Sequence, residues 1–182
     1  MTGTIAALNL AFLAVAAGVL WWAKVRTRPG PPFPGPRPTG AVFRAWLMVI
    51  WAVGFLMPAF TLVVDGILGG KAVVRALLGW YLLFFAVQIG FELLAWKRWR
   101  SPVWVIVPCL FLPWRLFQAG LGLWLVDGST LSVGTFAALV GLWVINVGVH
   151  YSNIPNSLRW DHHPPDARFA ARTRALPFAQ GS

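Results

Sequence analysis

Two ionisable side chains stand inside long apolar stretches of the sequence, where packing alone does not explain them. Glu92 lies near the end of one stretch, and Arg115 lies near the middle of the next. A carboxylate in such a place suits proton handling or the ligation of a cation or cofactor, whereas a guanidinium suits an anion. Both residues are therefore candidates for a ligand contact or for a polar contact between helices.

Glu92 belongs to a polar face of its predicted helix. Gln88 is one turn away from it, and Tyr81 falls on the same face. Because a carboxylate that faces lipid is costly, this face should lie against protein or a ligand. One interpretation is a structural contact between helices, helped by the carboxylate reaching toward the membrane surface. The other is a proton-handling group or a ligand for a cation or cofactor.

Arg115, with Gln118 one turn further on, gives the sharpest signal. A charge at mid-membrane costs at least about 2.5–3.5 kcal/mol, so the guanidinium needs an anion or several carbonyl acceptors. Pro108 and Pro113 each remove a backbone hydrogen bond, so we expect a kinked or broken fourth helix with freed carbonyls and with Arg115 brought toward Glu92. The alternatives are a structural Glu92–Arg115 link and an anionic partner, either a lipid phosphate, a cofactor carboxylate or an acid on another subunit.

The fifth apolar stretch carries Trp143, Asn146 and His150 on one face, at spacings of three and four residues. A membrane histidine can ligate a haem iron or a chlorophyll magnesium, which makes His150 a candidate axial ligand. A hydrogen bond at the membrane surface is the alternative for His150. His162 and His163 have no further ligands at zinc spacing, so we expect no metal site.

Small residues should form smooth surfaces on three of the helices. Gly134, Gly141 and Gly148 recur every seven residues, and Gly120 and Gly122 stand in the stretch before them. The first stretch carries Ala14, Ala16, Ala17 and Gly18. Such surfaces let helices approach closely, and helix packing is the simplest interpretation. The seven-residue stripe could instead receive a flat pigment.

Motifs of known enzymes are missing from the sequence. There is no phosphate-binding P-loop, no H-E-x-x-H, no G-x-S-x-G and no Cys-x-x-Cys. The single cysteine, Cys109, excludes an internal disulfide. One acid within the apolar stretches cannot form a carboxylate pair, so we predict no catalytic residues and no enzyme activity.

The elements that position these residues must be helices that cross a membrane. Hydrophobic residues make up 58% of the chain and charged residues 11%, against roughly 25% charged in soluble proteins. About 20 apolar residues cross a bilayer as a helix. We predict an all-α, polytopic integral membrane protein with a five-transmembrane-helix bundle in residues 1–151 and an irregular, basic cytoplasmic tail at 152–182. The spans are placed at 4–25, 42–64, 73–96, 102–126 and 130–151, with a proline-rich cytoplasmic linker at 26–41.

The basic residues set the orientation of the predicted bundle. The net charge is +10, but no nucleic-acid-binding motif accompanies it. With five spans, twelve of the 15 Lys and Arg residues fall on one side, which the positive-inside rule makes cytoplasmic, with the N-terminus out and the C-terminus in. These twelve are Lys24, Arg26, Arg28, Arg37, Arg44, Lys97, Arg98, Arg100, Arg159, Arg168, Arg172 and Arg174.

In outline the sequence resembles the translocator-protein family of tetrapyrrole and sterol binders. The resemblance rests on chain length, five spans and a proline-bearing loop after the first helix. The loop here reads Pro-Gly-Pro-Pro-Phe-Pro and not the family's Trp-x-Pro-Pro. Gln88, Glu92 and Trp96 match the family's Gln–Asn–Trp pattern only loosely. No site residue is therefore transferred from that family.

Three functions are compatible with these features. The leading hypothesis is a non-catalytic accessory or scaffold subunit of a larger membrane complex, respiratory or photosynthetic, that lines a site for lipid, quinone, (bacterio)chlorophyll or carotenoid. The second is a self-standing binder or carrier of a hydrophobic anion at Arg115, Gln118, Glu92 and Gln88. The third is a small membrane enzyme that uses Glu92 or His150. A bacterial cytoplasmic (inner) membrane or an internal photosynthetic membrane is the expected location.

Overall fold

In the residues that it describes, the computed structural model of this chain has five helices, each long and apolar enough to span a membrane. The structure describes residues 2–27, 41–99, 101, 103–126 and 129–160, with the backbone alone for 42–43 and 153–160. The all-helical, multi-pass architecture predicted from the sequence is confirmed. The helices are α1 (Thr2–Arg26), α2 (41–68), α3 (Ala72–Trp99), α4 (Val103–Leu125) and α5 (Thr130–Trp160).

Three helices extend beyond their predicted ends. α2 continues past Asp65 to Leu68, and α3 continues past Trp96 to Trp99, in both cases as π-helix. α5 remains helical as far as Trp160, so the first residues of the predicted irregular tail belong to this helix. Most of the proline-rich linker and the rest of the tail lie outside the described residues.

α2 ends in a glycine turn that leads directly into α3. Gly70 has a φ of 67°, a backbone conformation that glycine adopts without strain. The Lys71 amide donates to the backbone carbonyl of Asp65 at 3.1 Å, which closes the turn. A Cβ on Gly66 would lie 3.1 Å from the backbone of Arg75, so the two helices touch here without intervening side chains.

α3 lies at the centre of the bundle. It contacts α1, α2 and α4, while α5 packs along α4 and against α2. One apolar cluster includes Leu78, Leu139 and Trp143, and a second joins α1, α3 and α4. α4 and α5 approach closely at Gly122, where a Cβ would lie 2.3 Å from the ring of Phe136. The outer surface is apolar, as contact with lipid requires.

Candidate functional site

Arg115 is buried at the centre of the bundle inside a cage of aromatic rings. Its side chain is 2% exposed. The guanidinium carbon lies 4.3 Å from the ring centre of Phe85, 4.9 Å from that of Trp143 and 5.8 Å from that of Tyr81. Ring faces carry negative charge density and attract a cation. The cage therefore offsets part of the cost of burying this charge.

The hydrogen bonds of Arg115 are few for a buried guanidinium. Its Nη2 donates to the backbone carbonyl of Phe84 across 3.5 Å, which is long for such a bond. Its Nε has no hydrogen-bond partner among the residues that the structure describes. A guanidinium carries five N–H donors in a planar fork that matches a bidentate anion. The aromatic rings lie against the guanidinium, and its buried Nε–H is left without an acceptor among the described residues.

Tyr81 joins three helices beside this cage. Its hydroxyl donates to the Gly54 carbonyl of α2 at 2.7 Å and accepts from Trp143 Nε1 of α5 at 3.1 Å. Residue 58 is proline, so the N–H that an α-helix would donate to the Gly54 carbonyl is missing. A Cβ on Gly54 would lie 3.2 Å from the Trp143 ring. The glycine therefore lets the indole come close to α2.

In α4, too, a tyrosine hydroxyl bonds a carbonyl that a proline frees, so this carbonyl does not serve Arg115 as the sequence predicts. Pro113 frees the carbonyl of Cys109, which accepts from the Tyr151 hydroxyl of α5 at 3.0 Å. The sequence predicts acceptors for Arg115 in this region, but the guanidinium bonds a carbonyl of α3 instead. α4 is assigned as helix through Pro108 and Pro113, so the second proline does not start a new helix.

Glu92 has its partner within its own helix. Gln88 Nε2 donates to the Glu92 carboxylate at 2.6 Å, so the two residues share a face. Within the described residues no ion pair joins Glu92 with Arg115; the one salt bridge there links Lys71 with Asp65 at 3.6 Å. Gln88 is 7% exposed, and its Oε1 has no partner within the same residues.

Gln118 is held by a residue of α1 that the sequence analysis did not single out. Asn9, 2% exposed, accepts from Gln118 Nε2 at 2.6 Å and from Trp114 Nε1 at 3.0 Å. The Phe12 ring stacks on Trp114 with 4.4 Å between ring centres. The signal was available, because Asn9 is the one amide in the apolar run of α1.

On the predicted polar face of α5, Asn146 makes a contact between helices, whereas His150 makes no polar contact among the described residues. Asn146 is 1% exposed and accepts from Trp46 Nε1 of α2 at 3.3 Å. His150 is partly buried, and no hydrogen bond or ring contact is found for it in the described part of the chain. No cluster of three metal-ligating side chains occurs in that part either.

One end of the bundle, at the turn between α2 and α3, is closed by a polar cluster around Asp65. Its carboxylate accepts from the hydroxyls of Ser129 and Ser132 at the start of α5 and lies near Lys71. Arg75 Nη1 donates to the Gly66 carbonyl at 3.3 Å. These contacts connect α2, α3 and α5, and they explain how an acidic residue fits inside the last turns of α2.

The glycine stripe of α5 faces away from the bundle. A Cβ on Gly134, Gly141 or Gly148 would meet no atom within 4 Å. Gly120 is equally open, whereas Gly122 packs against Phe136. Of the predicted small residues, Gly122 packs against α5, and Ala16 of α1 is buried in the second apolar cluster.

The fold and these sites define a helical, multi-pass membrane protein with a buried cation at its centre. Comparisons with known proteins do not narrow this class further. No protein-family model matches the chain, and neither a curated protein nor a solved structure resembles it significantly.

Proposed function

We propose that this protein is a self-standing membrane binder or carrier of a hydrophobic anion, whose headgroup contacts Arg115. The observation that carries the proposal is the guanidinium itself. It is 2% exposed, it makes one 3.5 Å hydrogen bond, and its Nε has no partner among the described residues. The proposal involves no catalytic step.

The depth of Arg115 defines the kind of ligand. Ten residues separate it from the end of α4 at Leu125, and twelve separate it from the start at Val103. At ~1.5 Å per residue, the charge lies about 15–18 Å from either end of the helix. An anion that reaches this depth needs an apolar tail or body that is stable in hydrocarbon. A small inorganic anion alone would lose its hydration with little in return.

The magnitudes also favour a ligand. Burying the charge costs at least about 2.5–3.5 kcal/mol, and each ring contact returns roughly 0.5–2 kcal/mol. Three ring contacts can therefore hold Arg115 in place in the free protein. They do not use the edge donors, and a charge-assisted hydrogen bond to such donors is worth ~1.5–3 kcal/mol. The arrangement is stable enough to persist and retains donors for an anion.

The orientation proposed for the bundle has the N-terminus outside and the C-terminus in the cytoplasm, in a bacterial inner or internal photosynthetic membrane. In this orientation Lys24, Arg26, Lys97 and Arg98 lie on the cytoplasmic side, together with the start of α2. The Asp65 cluster then closes the external side. A kink in α4 at Pro108 or Pro113 is part of the same proposal.

The proposal is tested by anion binding to the protein in nanodiscs of zwitterionic lipid. Decylphosphonate is titrated against the wild type and against Arg115→Met, with decanol as the uncharged ligand. Arg98→Ala is the matched control, because it removes an exposed arginine outside the core. We expect the wild type and Arg98→Ala to bind decylphosphonate but not decanol, and Arg115→Met to bind neither.

Two results would overturn the proposal. One is equal affinity of the wild type and folded Arg115→Met for the anion. The other is the absence of anion binding to the wild type at concentrations where the ligand partitions into the nanodisc. In either case Arg115 is a structural cation that its aromatic cage stabilises.

A second candidate function is a scaffold subunit of a larger membrane complex, and the outward-facing glycine stripe favours it. Gly134, Gly141 and Gly148 are exposed on α5 with no neighbour among the described residues, and such stripes allow a helix of another chain to pack closely. A respiratory or photosynthetic complex, with a site for lipid, quinone or pigment and with His150 as a candidate axial ligand, stays a prediction from the sequence. The native mass of the particle extracted from its membrane in mild detergent separates the two functions. A particle near 20.0 kDa or a homo-oligomer would exclude the role of subunit in a larger complex.

A further inference from the structure

The orientation of a buried amide beside Arg115 is fixed by a chain of hydrogen bonds. Trp114 Nε1 lies 3.0 Å from Asn9 Oδ1, and an indole nitrogen can only donate. Asn9 must therefore present its oxygen to Trp114. Its Nδ2 is committed as well, because it donates to the carbonyl of Ile5 at 2.7 Å.

The same logic extends from Asn9 to Gln118. Asn9 Oδ1 lies 2.6 Å from the Gln118 side chain, so Gln118 must present its amide nitrogen there. Its carbonyl oxygen, Oε1, is then the atom left over. It is buried and has no hydrogen-bond partner among the described residues, in a side chain that is 3% exposed. The network ends in a buried acceptor.

The residue that carries this acceptor lies one helical turn from Arg115, whose Nε is the unused donor. Residues three apart on a helix lie on one face, with ~5–6 Å between their Cβ atoms. Arg115 and Gln118 have this spacing on α4, and both are at most 3% exposed. The pair therefore offers, within one turn of α4, a positive charge with a free N–H and a neutral oxygen that needs a donor, counting partners in the described part of the chain. An anion without a proton satisfies the first group and leaves the second unpaired.

We infer that the ligand's headgroup is an anion that still carries an O–H, of the hydrogen-phosphate or hydrogen-phosphonate type, which donates to Gln118 Oε1 while its other oxygens accept from Arg115. This inference rests on the proposed function and adds the chemical class of the headgroup. A sulfonate has the same tetrahedral shape and negative charge but no proton to donate. A site with a buried acceptor discriminates against a ligand that cannot satisfy it.

The test compares decylphosphonate with decanesulfonate in nanodiscs of zwitterionic lipid, at a pH where the phosphonate is a monoanion. The wild type should prefer the phosphonate by about tenfold or more, since one unsatisfied buried group costs ~1–3 kcal/mol and tenfold corresponds to about 1.4 kcal/mol. Gln118→Met, which removes the acceptor and keeps an unbranched side chain, should bind both ligands with similar affinity. The control is Thr135→Val, which removes a buried hydroxyl from the complete Thr61–Thr135 pair between α2 and α5 and should keep the preference.

A second measurement uses the unmodified protein and does not depend on a variant that folds. Raising the pH through the second ionisation of the phosphonate removes its proton. The wild type should then lose its preference for the phosphonate over the sulfonate. A preference that persists when the phosphonate is a dianion would overturn the inference. So would a preference that persists in folded Gln118→Met.

The outcomes also separate this inference from the function on which it rests. If the wild type binds phosphonate and sulfonate equally and Arg115→Met loses both, the anion-binding function stands and the O–H requirement is wrong; a water molecule then satisfies Gln118. If the wild type binds neither ligand, the anion-binding function itself is wrong.

Discussion

Replacing Tyr81 by Phe would remove one hydroxyl from the junction of α2, α3 and α5 while keeping the ring beside Arg115. The hydroxyl serves the Gly54 carbonyl and the Trp143 indole, so both lose a partner. Pro58, four residues on from Gly54, has no N–H that could replace the lost hydroxyl. We therefore predict that the cost of Tyr81→Phe depends on the residue at position 58.

The magnitude follows from the two bonds. An unsatisfied buried group costs ~1–3 kcal/mol in general, but interhelical hydrogen bonds in membrane proteins average ~0.6 kcal/mol and reach ~1.7, because the unfolded state in the membrane also finds partners. The membrane values apply here, so Tyr81→Phe should lower the free energy of unfolding by about 1–2 kcal/mol. Pro58→Ala supplies an N–H to the Gly54 carbonyl and should recover about 0.6 kcal/mol or more of that loss.

The assay is a double-mutant cycle on the free energy of unfolding in mixed micelles. The wild type, Tyr81→Phe, Pro58→Ala and the double variant are compared, so that any cavity left by removing Pro58 cancels. Tyr151→Phe in the Pro58→Ala background is the matched control. The Tyr151 hydroxyl donates to a different carbonyl, that of Cys109, so the cost of Tyr151→Phe should not depend on the residue at position 58. An equal cost of Tyr81→Phe in both backgrounds, within the ~0.3–0.5 kcal/mol error of additivity, would refute the reasoning.

Two further predictions concern packing and orientation. Gly122→Ala should lower the free energy of unfolding by ~1–3 kcal/mol, because its Cβ would lie 2.3 Å from the Phe136 ring. Gly120→Ala has open space and should be neutral or slightly stabilising. Thermal unfolding of the two variants side by side tests this, and equal melting temperatures would contradict the close contact between α4 and α5. In a Cys109→Ser background, an impermeant maleimide added outside intact cells should label Thr130→Cys and not Arg98→Cys, both at exposed positions; the reverse pattern would show that the proposed orientation is inverted.

Much of the architecture could be predicted from the sequence, because hydrocarbon imposes strict rules on it. A run of ~20 apolar residues has one stable way to cross a bilayer, so five runs predict five helices. The helix ends were harder to predict. α2 continues past its predicted end at residue 64 because Ser129, just before α5, Ser132 and Lys71 satisfy the Asp65 carboxylate. Those partners lie far along the chain or beyond the turn, and no local pattern announces them.

The candidate site was predictable in its members and not in its pairings. Charge at mid-membrane identified Arg115, and helical spacing identified Gln88 beside Glu92. The sequence alone could not show that aromatic rings of α3 and α5 surround the guanidinium, because that depends on how helices rotate against each other. The role of Asn9 was missed for a similar reason. Its importance comes from two partners on α4, 105 and 109 positions away.

The buried polar residues fall into two groups, and the division supports a binding site over a purely structural network. One group is satisfied in pairs between helices, as in the 2.7 Å contact of Thr61 with Thr135 or the bond of Trp46 to Asn146. Such pairs hold α2 against α5, and none of their side-chain atoms is buried without a partner among the described residues. The other group comprises Arg115, Gln118 and Gln88, each with a buried atom that lacks a partner among the described residues. These three belong to the neighbouring helices α3 and α4.

A network that served stability alone would gain by losing its unsatisfied members, because a buried polar group without a partner costs more than an apolar side chain of the same volume. Methionine or leucine at position 118 would leave Asn9 with its bond to Trp114 and remove an orphaned oxygen. The same reasoning applies to Arg115, whose Phe84 bond is long. Unsatisfied donors and acceptors that cluster on one pair of helices, beside interhelical pairs that are complete, are what a site for a polar headgroup requires before its ligand binds.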